Sequence, residues 1–159
     1  SQNVSDNKLE IQNANKAKSF VTTMQAQGNI SKSIRTWDED NTDYFNTTSE
    51  IYYTDTLPPT EFGTQIEKLQ QQGYNVNVDL IYYIDDTRYT QAYIRNGTPN
   101  TQGVTHTTNI PLYTSDSIRN QSGSTGTTIS ESSNFIIQED SNSTIYNTVT
   151  VQFQLWKTS

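Results

Sequence analysis

The sequence predicts an α+β fold in which an N-terminal amphipathic helix packs on an antiparallel β-sheet, with a short second helix between them. Three observations predict it. Apolar residues recur at helical spacing from Asp6 to Gln27, apolar and polar residues alternate from Tyr74 to Tyr82, and the alternation returns from Tyr146 to Trp156. A chain of 159 residues has the length of one ordinary core, so residues 1–159 read as a single domain.

The first helix spans about 6–27, with Leu9, Ala14, Ala17, Phe20, Val21 and Met24 as its apolar stripe. Gly28 follows where a left-handed cap is common and should end it. Residues 31–50 read as an acidic loop, because Asp38-Glu-Asp-Asn-Thr-Asp43 lies in a stretch of little periodicity. Glu50 to Thr54 has the composition of a short strand. Pro58-Pro59 then breaks the chain, and Thr60 can cap a second helix over about 60–72, with Phe62, Ile66 and Leu69 one turn apart and Gly73 at its end.

Antiparallel strands fill 74–156. Val76, Val78, Leu80 and Tyr82 alternate with Asn75, Asn77 and Asp79, and Asp85-Asp86-Thr87 makes a tight connection to a strand from Arg88 to Arg95. Asn96-Gly97 stops that strand. Val104 to Tyr113 reads as a further strand and Asn120 to Gly126 as an exposed loop. Asn134 to Gln138 and Tyr146 to Trp156 close the chain as a pair turning at Asp140-Ser-Asn-Ser143.

Composition narrows the function. Leu, Ile, Val and Phe make up about a fifth of the chain, which predicts a thin core supplemented by ten Tyr and two Trp. Charged residues are 17% of the chain and the rest of the polar surface is Ser, Thr, Asn and Gln, which suits the outside of a cell. Ten Lys and Arg, scattered singly in a chain of net charge -7, give no basic stripe for phosphates, so nucleic acid is not an expected partner. Cysteine is absent, which removes disulfides, thiolate metal sites and a cysteine nucleophile. No run approaches the roughly 20 apolar residues that span a bilayer.

Catalysis is not expected. His106 is the sole histidine, and nothing in the sequence brings a carboxylate and a nucleophile to it. Asp79, Asp85 and Asp86 are the nearest paired carboxylates, and adjacent Asp85-Asp86 is explained by a turn. The phosphate-loop, dinucleotide, serine-hydrolase and zincin patterns are all missing.

Two clusters remain as binding candidates. Asp38, Asp40 and Asp43 concentrate hard oxygen ligands and could hold calcium, although the helix-loop-helix calcium pattern is not met. In the pairs Tyr52-Tyr53 and Tyr82-Tyr83 successive rings point to opposite faces, so one ring of each points outward. Tyr53 and Tyr83 are the rings assigned to a glycan or protein ligand. Six Asn-x-Ser/Thr sequons match what chance gives in such a chain.

An N-terminal helix from Asn7 to Gln27, a loop, and a meander through Tyr74–Asp85 to the alternating strand Thr148–Trp156 resembles the soluble ectodomain of type IV pilins and pseudopilins. The resemblance is one of layout over most of the chain. It implies a non-catalytic structural or adhesion subunit of an extracellular or cell-surface filament, with other subunits as partners and a host or glycan ligand displayed outward. That family's apolar half-helix is not found in Ser1–Leu9, so any membrane contact would come from about 20 apolar residues upstream. A viral or phage tail, spike or capsid module and a carbohydrate-binding surface domain are the alternative readings.

Overall fold

The computed structural model describes residues 4–37, 51–120, 125–128 and 144–158. Helix α1 (Val4–Ala26) leads through Gly28, at φ 74, straight into a second helix, α2 (Asn29–Ile34). A left-handed residue reverses the chain without a side-chain clash, which is what a glycine allows there. Residues 31–34 are therefore helical rather than part of a loop, because Ile30, Ser33 and Ile34 share one buried helix face. A two-residue strand, β1 (Thr36–Trp37), follows. The remainder of the expected acidic loop, 38–50, lies outside the described residues.

Strand β2 (Ile51–Thr54) precedes α3 (Glu61–Gln71), whose cap is the Thr60 hydroxyl accepting from the Gly63 amide at 3.3 Å. The long strands are β3 (Tyr74–Ile84), β4 (Thr87–Arg95) and β5 (Val104–Tyr113). β3 and β4 are joined by Asp85 and Asp86, both left-handed at φ 49 and 67, the backbone of a two-residue hairpin loop that aspartate tolerates. Short strands β6 (Ser117–Asn120) and β7 (Thr125–Thr128) pair with each other, and β1 runs parallel to β6. The segment expected as a loop at 120–126 thus begins and ends in strand, with 121–124 outside the described residues. The last described strand is β8 (Ile145–Lys157).

The main sheet has the order β2-β4-β3-β8-β5. It is mixed rather than wholly antiparallel. β2 joins parallel to β4, Tyr53 beside Ile94, because α3 and β3 intervene and return the chain to the same direction. β8 pairs antiparallel with β3 and with β5. The expected partner strand at 134–138 and its turn at 140–143 lie outside the described residues.

Helices cover one face. Ala17, Val21 and Met24 of α1, Ile30 and Ile34 of α2, and Phe62, Ile66 and Leu69 of α3 bury against Val76, Val78, Leu80, Val149, Val151, Phe153 and Leu155. The Phe20 ring sits 5.2 Å from that of Phe153 and 6.1 Å from that of Phe62, tying two helices to β8. Ser33 binds the Thr60 hydroxyl at 2.9 Å and the Tyr93 hydroxyl at 2.8 Å, which joins α2, the cap of α3 and β4. At Gly63 the backbone comes so close that an added Cβ would stand 1.9 Å from the Pro58 carbonyl oxygen.

Two members of the expected α1 stripe are not buried. Leu9 is 39% exposed because the helix meets the sheet only from Asn13 onward, and Ala14 is exposed because it stands about 100° round the helix from the buried Asn13.

The other face carries Asn75, Asn77 and Asp79 of β3 beside Trp156, Gln154 and Gln152 of β8. The crossover from β4 to β5, residues 96–103, runs over its end. Asn77 donates to the Gly97 carbonyl and accepts from the Asn96 amide, both at 2.9 Å. A Cβ on Gly97 would come within 3.1 Å of the Trp156 ring, so the backbone lies directly on the indole.

Candidate assembly surface

From Asn7 to Gln12 every α1 side chain is exposed; from Asn13 onward the helix is anchored. Asn13 is buried and donates to the Gln102 carbonyl at 3.0 Å, and four residues later Ala17 is fully covered. The exposed stretch is not polar throughout. Leu9 is 39% and Ile11 61% exposed, two of the few large apolar side chains that reach solvent among the described residues.

Two residues apart on a helix, Leu9 and Ile11 point about 200° from one another. Each overlooks its own groove. Leu9, Asn13, Asn100, Gln102, Lys157 and Thr158 line one of about 290 Å³. Ile11, Asn7, Glu10 and Ala14 face Gly103, Val104 and Thr105 across a wider one of about 690 Å³. Apolar groups on opposite sides of one helical segment suit contact with more than one neighbour, whereas a single stripe suits packing on one surface. Lys157, whose ammonium lies 5.2 Å from the Tyr74 ring centre, borders the first groove.

The residues singled out from sequence are dispersed. Tyr53 is the inward ring of its pair, 9% exposed, with its ring edge-on to Tyr93 at 5.5 Å. It is a core residue, which corrects its assignment as a ligand platform. Alternation says that neighbours face opposite ways but not which way is in, and here the register on β4, Tyr53 beside the buried Ile94, decides it. Tyr83 does face solvent, at 52% exposure, on the face opposite the helices. It lies five residues along β3 from Val78, the cross-strand partner of Ile94, so roughly 17 Å separates it from the level of Tyr53. The structure does not bring the two rings together.

Asp38, Asp40 and Asp43 lie outside the described residues. Among the described residues no three His, Asp or Glu side chains converge as a metal cluster. His106 sits half-buried on β5 opposite Phe153. The apolar pair on α1 is partly legible in the sequence: Leu9 belongs to the stripe that predicts burial, and Ile11 lies two residues off it. No helix among the described residues is long and apolar enough to cross a membrane.

One family model, that of a family of unknown function (DUF7288), matches residues 1–155. No curated protein and no solved structure matches the chain.

Proposed function

The chain belongs to DUF7288, and we propose that it is a non-catalytic extracellular structural or adhesion subunit, a pilin-like component of a surface filament. The observation that carries this reading is the first half of α1. A 23-residue helix is about 34 Å long, and only its second half is used up by the sheet beneath it. The first half keeps Leu9 and Ile11 in solvent, where they add nothing to the fold and leave apolar area that a neighbouring subunit would gain by covering. An amphipathic helix serving its own sheet at one end and other subunits at the other is the arrangement that a filament subunit needs. The uncharged Thr, Asn and Ser surface of the remaining strands fits the outward side of such an assembly, where a host or glycan ligand would be met.

Leu9→Asp and Ile11→Asp, introduced into the complete protein in its native cell, test the reading. Both side chains are exposed, so the melting temperature of the purified domain should stay within a degree or two of the parent. The amount of protein recovered in sheared surface filaments should fall at least tenfold, since each carboxylate would be buried unpaired at the contact. Recovery of both variants at the parental level would overturn the reading.

A further inference from the structure

Among the described residues β5 forms one edge of the main sheet, with β8 on its inner side. Its outward groups can be assigned. The Asn109 carbonyl accepts from Gln25 Nε2 at 3.3 Å and so points away from β8. Pro111, two residues on, has no N–H to give the ladder, and proline in a strand belongs where the N–H would face outward. Both place the odd-numbered residues of β5 with their main-chain groups at the free edge. Thr105, Thr107 and Asn109 are also exposed.

We propose that this edge pairs with the same edge of a second copy, antiparallel and centred on Thr107. In that register Thr107 meets Thr107 and Thr105 meets Asn109, which gives about six main-chain hydrogen bonds, two for each directly bonded pair, once the Thr105 amide shares the Asn109 carbonyl with Gln25 or displaces it. The next pair outward is Gly103 with Pro111. The Gly103 amide already donates to the Asn100 carbonyl at 3.1 Å, and Pro111 has no amide, so the pairing ends there on both sides. Shifting the register by two residues brings fewer outward amides and carbonyls together. A two-fold axis makes this contact self-complementary and closed, stopping at a dimer.

Charge favours this partner. The chain carries a net charge of -7, yet Val104–Tyr113 contains no Lys, Arg, Asp or Glu, so two copies meet at this edge without like charges opposite each other. The facing pairs are Thr with Thr and Thr with Asn, side chains that hydrogen-bond across strands. Room exists as well. α1 lies over β8 and β5, through Phe20 on Phe153 and Gln25 on Thr108. With strands about 4.8 Å apart, the two copies of α1 come side by side at about 10 Å, an ordinary helix–helix distance. Thr105 also borders the groove that Ile11 overlooks, so the contact adjoins that surface at one end, but it uses neither Leu9 nor Ile11 and does not depend on the filament reading.

Sedimentation and light scattering of the purified domain over a wide concentration range test it. A concentration-dependent dimer is expected. Thr107→Pro deletes an N–H that β8 does not use, and Thr107→Lys sets two ammonium groups opposite each other. Each should weaken the dimer by at least about tenfold with the circular dichroism spectrum and melting temperature retained. Thr107→Cys should cross-link under mild oxidation, since directly bonded antiparallel partners stand about 5.5 Å apart, within disulfide reach, and the chain has no other cysteine. A domain that stays monomeric at millimolar concentration, or a dimer that both Thr107→Pro and Thr107→Lys leave unchanged, would overturn the proposal.

Discussion

The two faces of the main sheet are made by the same strands and hold together in different ways. On the helix-covered face, Val76, Val78, Leu80, Val151, Phe153 and Leu155 form a continuous apolar layer, and stability there scales with area removed from water. On the opposite face the buried residues are Asn77, Ile81 and Trp156, set among amides and an Asp79–Arg95 ion pair. Ile81 and Trp156 stand apart from the main core cluster. The difference teaches that a sequence poor in large aliphatics can still cover both sides of a sheet, provided that a loop backbone brings hydrogen-bonding partners to the polar one.

Breaking the apolar face should cost most. Phe153 is fully buried and touches the rings of Phe20 and Phe62, so Phe153→Ala should remove about 3–5 kcal/mol in urea denaturation. On the polar face the comparable position is Asn77, which bonds the Gly97 carbonyl, the Asn96 amide and Gln154. Asn77→Ala leaves the loop's groups unpaired and should cost about 1–3 kcal/mol by the same measurement. A loss on Asn77→Ala equal to that on Phe153→Ala would mean that the crossover, and not the helix layer, holds the sheet.

The smallest effect concerns adjacent residues on the two faces. Tyr82 is buried on the covered face and Tyr83 half exposed on the other. Burial, and then the nearby Tyr89 phenol, push the Tyr82 pKa from 10.0 up to about 12. A folded-state value above the unfolded one means that the contribution is fully present below pH 10 and is lost as pH rises from there through about 12. The urea midpoint should therefore fall between about pH 9 and about pH 11.5, and Tyr82→Phe should flatten that slope. An unchanged slope in Tyr82→Phe would place the alkaline loss elsewhere.

Much of this layout could be read from local pattern. The alternation in Tyr74–Tyr82 and Val149–Leu155 marks the two strands that meet at the centre, and Thr60 with Gly73 brackets α3. What escaped was set by distant partners. Tyr53 turns inward because the register of β2 on β4 sets it beside the buried Ile94, and no feature of Ile51–Thr54 encodes that register. α2 was hidden because its six residues give only one repeat of helical spacing. Trp156 owes its burial to Gly97, a contact across 59 positions of sequence that composition cannot foretell. The candidate surface was half legible for a related reason. Leu9 continues the periodicity of the buried stripe, and where the sheet stops beneath α1 is a property of the crossover, not of the helix.

The strand order also fixes a sequence of events. β8 is the last described strand to be synthesised, yet it stands between β3 and β5. Until it emerges, β5 has no neighbour among the described strands of the sheet, and Val76, Val78 and Leu80 lack their partners on β8. The β3–β4 hairpin can close early, since only Asp85 and Asp86 separate its strands. Zipping the sheet together must wait for contacts spanning some forty to eighty residues, the kind that make folding slow. A nascent chain paused before Ile145 would thus hold a finished hairpin beside an unpaired β5, a state open to wrong partners and in need of protection.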